Sequence, residues 1–74
     1  MIITVKAARI NKGMTQEEVA HSIGLSLNGY KRKEGGERRF YIDEMFKLSN
    51  LFGIEIQNFL KLRVLKRHDK GDLL

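Results

Sequence analysis

Apolar residues recur at helical rather than alternating spacing along most of the chain, and glycine separates the periodic stretches. The pattern predicts five short helices. The first runs from about Thr4 to Lys12, buries Val5 and Ala8 with Ile2 or Ile3 ahead of them, and stops at Gly13, a natural residue for a left-handed helix end. The second opens on Thr15 with Glu18 three residues later, the signature of a capping box, and then presents Val19, Ala20 and Ile23 before Gly24. Leu25 plugs the turn, Ser26 caps the third helix, and that helix ends at Gly35-Gly36. The fourth spans about Ile42 to Phe52. Ile42, Met45, Leu48, Ser49 and Phe52 form its buried stripe, Asp43 and Glu44 complement its N-terminal dipole, and Gly53 closes it. The fifth begins near Ile56 and turns Phe59 and Leu60 inward, with an end between Leu62 and His68.

Composition narrows the class. A chain of 74 residues has room for one core, and without cysteine no disulfide or thiolate-zinc staple supports it. Hydrophobic residues at 42% and charged residues at 31% fit a globular domain. Lysine and arginine number 14 against 9 acidic residues, and the resulting charge of +5 on so small a surface points to a polyanionic partner. No apolar run approaches the ~20 residues that a membrane span needs. Lys6 and Arg9 interrupt what would be the apolar part of a signal peptide, so a cytoplasmic location is expected.

Enzymatic chemistry finds little footing. His21 and His68 lack metal-ligand spacing, Gly35-Gly36 lacks the context of a phosphate loop, and no nucleophile stands beside a base. No catalytic residue, metal or cofactor is expected.

The second and third helices are separated by a turn of about four residues containing Gly24, which is a helix-turn-helix arrangement. The residues around it resemble the Cro/cI-type (XRE) helix-turn-helix DNA-binding domain of phage repressors and bacterial regulators. The matching positions are Arg9, Gly13, T-Q-E-E-V-A from Thr15 to Ala20, I-G-L-S from Ile23 to Ser26, Glu34 and Gly36 of K-E-G-G, and L-F-G-I from Leu51 to Ile54. The resemblance covers roughly Val5 to Leu60. It implies an all-α, compact, lambda-repressor-like domain, here a five-helix bundle over residues 1–60, and leaves residues 61–74 unexplained as a basic C-terminal helix extension or tail. Three positions depart from the pattern: Gly29 inside the recognition helix, Lys33 where an apolar residue is usual, and Gly35 where Asn is often found.

At 100° per residue, Asn28, Lys31 and Arg32 share one face of the third helix, Leu27 lies beside them, and Tyr30 points about 200° away from Asn28 into the core. Such a face suits base edges: Arg forks onto guanine, Asn onto adenine, and Leu27 can meet a thymine methyl. A merely solvated polar face is the plainer alternative. In the family the residue matching Gln16 touches a DNA phosphate at a helix N-terminus. Ser26, Lys31, Arg38 and Arg39 are further candidate phosphate contacts, with ordinary surface charge as the competing reading for Arg38 and Arg39. The resemblance also implies that Arg9 and Glu34 form a structural ion pair rather than a binding pair.

If the fifth helix continues, Ile56, Phe59, Leu60 and Val64 form one stripe, and Leu62 and Leu65 fall about 180–240° from Ile56. That offset makes Leu62 and Leu65 candidates for dimerisation, against the plainer reading of a frayed basic tail. The expected function is a sequence-specific duplex-DNA-binding transcriptional regulator, a repressor in kind, binding a partly palindromic operator as a homodimer. The alternatives are the antitoxin of a toxin–antitoxin pair, whose tail docks a protein partner, and a protein–protein adaptor that keeps the fold without DNA binding.

Overall fold

A computed structural model of the chain describes residues 2–59 and 64–65. Four α-helices make up most of it: α1 (Val5–Asn11), α2 (Gln16–Ser22), α3 (Leu27–Glu34) and α4 (Ile42–Phe52). Each of the first three starts on a hydroxyl cap. Thr4 accepts from the Ala7 amide, Thr15 from Glu18 and Ser26 from Gly29, at 3.0, 3.1 and 3.1 Å. The Glu18 carboxylate answers by accepting from the Thr15 amide at 2.8 Å, which completes the capping box.

α2 and α3 meet across a tight turn. Gly24 there has φ +78°, a conformation that L side chains rarely adopt, and the Leu25 amide reaches back to the Ala20 carbonyl at 2.9 Å. Ala20 is buried, and its small side chain permits the close approach. Ile3, Ala8, Val19, Ala20, Ile23, Tyr30, Phe40, Met45, Leu48, Phe52 and Phe59 form one continuous core. Ile3 rather than Ile2 supplies the residue ahead of α1.

Three features differ from the helical reading. The fifth helix is a single 3-10 turn, Ile56–Asn58, and Phe59 is already extended at φ −80°, ψ 124°. The cause is long-range: the Ile3 amide donates to the Asn58 carbonyl at 2.8 Å, and Ile3 and Phe59 form a parallel bridge. That carbonyl is engaged across the molecule where a continuing helix would have used it locally. Phe59 still turns inward, as expected, whereas Leu60 lies outside the described residues.

Second, Phe40–Tyr41 (β1) and Val64–Leu65 (β2) pair in parallel, Phe40 with Val64 and Tyr41 with Leu65. A helical stripe through Val64 is therefore not formed. Third, the buried stripe of α4 takes in Glu44, while Ile42 and Ser49 are only half-buried. Glu44 stands in the first turn and faces the end of α3, where it meets a lysine. The pairings of two residues each leave the domain all-α in class.

Candidate nucleic-acid interface

The exposed face of α3 is set by what its other face must do. Tyr30 is 0% exposed and packs its ring 6.1 Å from that of Phe40, which fixes the rotation of the helix. Asn28, Lys31 and Arg32 are then exposed on the far side, with Leu27 half-buried at its edge and Ser26 exposed at the cap. The structure thus brings five of the sequence candidates onto one helix and its N-cap.

At the end of α3 the Glu34 carboxylate gathers donors from three helices. Glu34 accepts from Arg9 Nε at 2.7 Å and Nη2 at 3.3 Å, from Gln16 Nε2 at 2.9 Å and from the Tyr30 hydroxyl at 2.6 Å. Arg9 Nη1 also donates to the Met14 carbonyl at 2.9 Å, so the same guanidinium ties down the turn between α1 and α2. One side chain therefore joins α1, α2 and α3. Burial pushes the Glu34 carboxyl up, but the hydrogen bonds from Arg9, Tyr30 and Gln16 outweigh it and hold the group below its ordinary range. Burial and the neighbouring carboxylate push the Tyr30 hydroxyl far above its ordinary value. The hydrogen bond to Glu34 raises Arg9 further.

Gln16 occupies the first position of α2, and its amide is directed toward Glu34. Spacing alone does not reveal this bond; a glutamine and a glutamate 18 residues apart carry no local signal.

Arg38 and Arg39 stand exposed in the loop after α3. The Arg32 carbonyl accepts from the Glu37 and Arg38 amides at 2.9 and 3.2 Å, and Gly36 makes the reversal at φ +89°. Leu65 lines a shallow cleft of about 290 Å³ together with Lys33, Arg38, Arg39 and Tyr41, and is 41% exposed. Leu62 lies outside the described residues.

Lys33 was set apart by the sequence only as a departure. Its ammonium lies 2.7 Å from Glu44 Oε1 and 4.6 Å from the centre of the Tyr41 ring. A charged residue at a position that faces the core needs a partner, and that requirement is the one signal the sequence offered.

The profile of the helix-turn-helix family matches residues 5–59, which spans α1 to the bridge at Phe59. The chain belongs to the Cro/cI-type (XRE) helix-turn-helix family. It is 32% identical over 57 residues to an uncharacterized HTH-type transcriptional regulator, YonR, derived from the SPbeta prophage of Bacillus subtilis (strain 168). That match covers 77% of this chain and 53% of the relative, so the chain spans about half the length of the protein it resembles. No solved structure matches. The family is one of DNA-binding transcriptional regulators and not of enzymes. Among the described residues, no helix is long and apolar enough to cross a membrane.

Proposed function

We propose that the protein is a sequence-specific repressor that binds a partly palindromic duplex operator as a homodimer, with α3 in the major groove. The carrying observation is the exposed face of Asn28, Lys31 and Arg32 on a helix whose opposite face is fully buried at Tyr30. Arg32 has the fork geometry for guanine O6 and N7, Asn28 that for adenine N6 and N7, and Leu27 suits a thymine methyl. Gln16 Nε2 carries two hydrogens, of which one meets Glu34; the other is left for a phosphate oxygen, with the amide already oriented. Ser26, Lys31, Arg38 and Arg39 add phosphate contacts on either side of the groove.

Selection of bound sites from random duplexes, followed by titration of the winner against salt, tests this reading. Two related half-sites should emerge. Affinity should fall with a slope of about −0.9 per neutralised phosphate in log K against log[salt]. A flat salt response and no enriched sequence would leave the adaptor reading in its place, and co-purification of a toxin-like partner would favour the antitoxin.

A further inference from the structure

Two consecutive residues at the end of α3 are tied in different directions. Glu34 joins α1 and α2, as described above. Lys33 joins α4: Glu44 Oε1 accepts from Lys33 Nζ at 2.7 Å and from the Tyr41 amide at 2.8 Å. The Lys33 and Glu44 side chains are only 10% and 3% exposed. Both charged groups are thus turned mainly toward each other and into the domain. A buried ion pair also gains little net stability over an apolar packing, so its strongest physical justification is to fix one arrangement among several.

That arrangement is the shape of the loop after α3. Lys33 stands just before the loop and Tyr41 just after it, and one carboxylate oxygen holds both. Within the loop, the Arg32 carbonyl holds the Glu37 and Arg38 amides, and Phe40 is anchored in the core. Arg38 and Arg39 lie between these fixed points and are exposed. Arg38 and Arg39 on a free loop would lose conformational entropy on binding, whereas on a clamped loop much of that loss precedes binding.

We propose that Lys33 and Glu44 are a positioning pair that joins the two ends of this loop and so sets where Arg38 and Arg39 meet the DNA backbone. The proposal rests on the reading of Arg38 and Arg39 as phosphate contacts.

Fluorescence anisotropy on the selected duplex, between about 50 and 200 mM salt, tests it. The variants are Glu44→Gln, Lys33→Met, the double variant Arg38→Ala/Arg39→Ala, and each of the first two combined with that double variant. Thermal melts establish that each is folded at the assay temperature. Lys33→Met opens the same clamp with an apolar side chain of similar length, and serves if Glu44→Gln does not fold.

The arginine double variant should lower the salt slope by about 1.8, two contacts at 0.9 each. Glu44→Gln and Lys33→Met should weaken binding and lower the slope toward that value. Glu44→Gln removes a negative charge and Lys33→Met a positive one, so a loss shared by both is not a net-charge effect, and in the Arg38→Ala/Arg39→Ala background that shared loss should vanish because nothing is left for them to position. Unchanged affinity and slope in the folded single variants overturns the proposal, as does an effect that adds in full to that of the arginine variant. An arginine variant that keeps the wild-type slope overturns the phosphate reading itself, and the pair then has nothing to position.

Discussion

Arg9, Gln16 and Tyr30 direct their donors at one carboxylate, and through that convergence Glu34 ties α3 to α1 and α2. Its depressed pKa means that the folded state holds the proton less readily than the unfolded chain. The stability this contributes is present above the unfolded carboxylate value of about 4.3 and is lost as pH falls through the lower folded value. Tyr30 behaves in the opposite sense. Its raised pKa contributes stability below about 10, and that contribution is lost as pH rises beyond it, because the unfolded phenol ionises first. Melting temperature should therefore fall at both ends of the pH range, and Tyr30→Phe should flatten the alkaline limb relative to wild type. A Tyr30→Phe limb as steep as that of wild type would exclude this assignment. Arg9→Met leaves the buried carboxylate without its cation and should cost on the order of 3 kcal/mol in urea unfolding. Arg32→Ala separates reading from folding. It should leave the melting temperature within a degree or two, cost about 1–3 kcal/mol on the selected operator and relax preference at one or two base pairs. Equal losses on all sequences would make Arg32 a backbone contact instead.

At the scale of the element, Gly29 sets two local terms of α3 against each other. Alanine there gains about 1 kcal/mol of helix propensity. Its Cβ would lie 3.0 Å from the capping Ser26 Oγ, close enough that the hydroxyl must shift by a few tenths of an ångström. The equivalent position of α2 already carries a full side chain: Glu18 stands three residues after the capping Thr15, and its amide still donates to the Thr15 hydroxyl at 3.1 Å. Gly29→Ala should therefore raise the melting temperature, and a lowered value would show that the cap is the stronger constraint. This comparison also explains what was legible in the sequence. The starts of α1, α2 and α3 are written in hydroxyl caps and their ends in glycines, all within one turn of the residues they govern. The rotation of α3 follows from one buried tyrosine. What periodicity does not carry is pairing between distant segments. The Asn58 carbonyl taken by Ile3 ends the fifth helix, and Lys33 meets Glu44 across 11 residues and a loop. Gln16 is an intermediate case: its place at the start of α2 is local, but its bond to Glu34 depends on how three helices assemble.

For the whole molecule, the proposed dimer has to present two recognition helices at a fixed spacing. Entry into successive major grooves on one face of DNA requires them about 34 Å apart. A helical tail placed Leu62 and Leu65 off a buried stripe, and the parallel pairing of Val64–Leu65 with Phe40–Tyr41 replaces that argument for Leu65. Leu65 remains a candidate on different grounds. It is 41% exposed, and through β1 it is joined directly to the loop that bears Arg38 and Arg39. A two-fold contact there would couple the spacing of the two recognition helices to the loops proposed to meet the DNA backbone. Each leucine buried contributes roughly 1.5–3 kcal/mol, so Leu62 and Leu65 from both copies could hold a modest dimer. Leu62→Lys/Leu65→Lys should then sediment as a monomer and keep its helical circular dichroism, since the core of Val19, Ile23, Tyr30, Leu48 and Phe52 is untouched. Its affinity for the full operator should also fall far more than its affinity for a single half-site. A wild type that is monomeric both at high concentration and on DNA, or a double variant that still dimerises, would remove the tail from the interface and require the second copy to approach from another face.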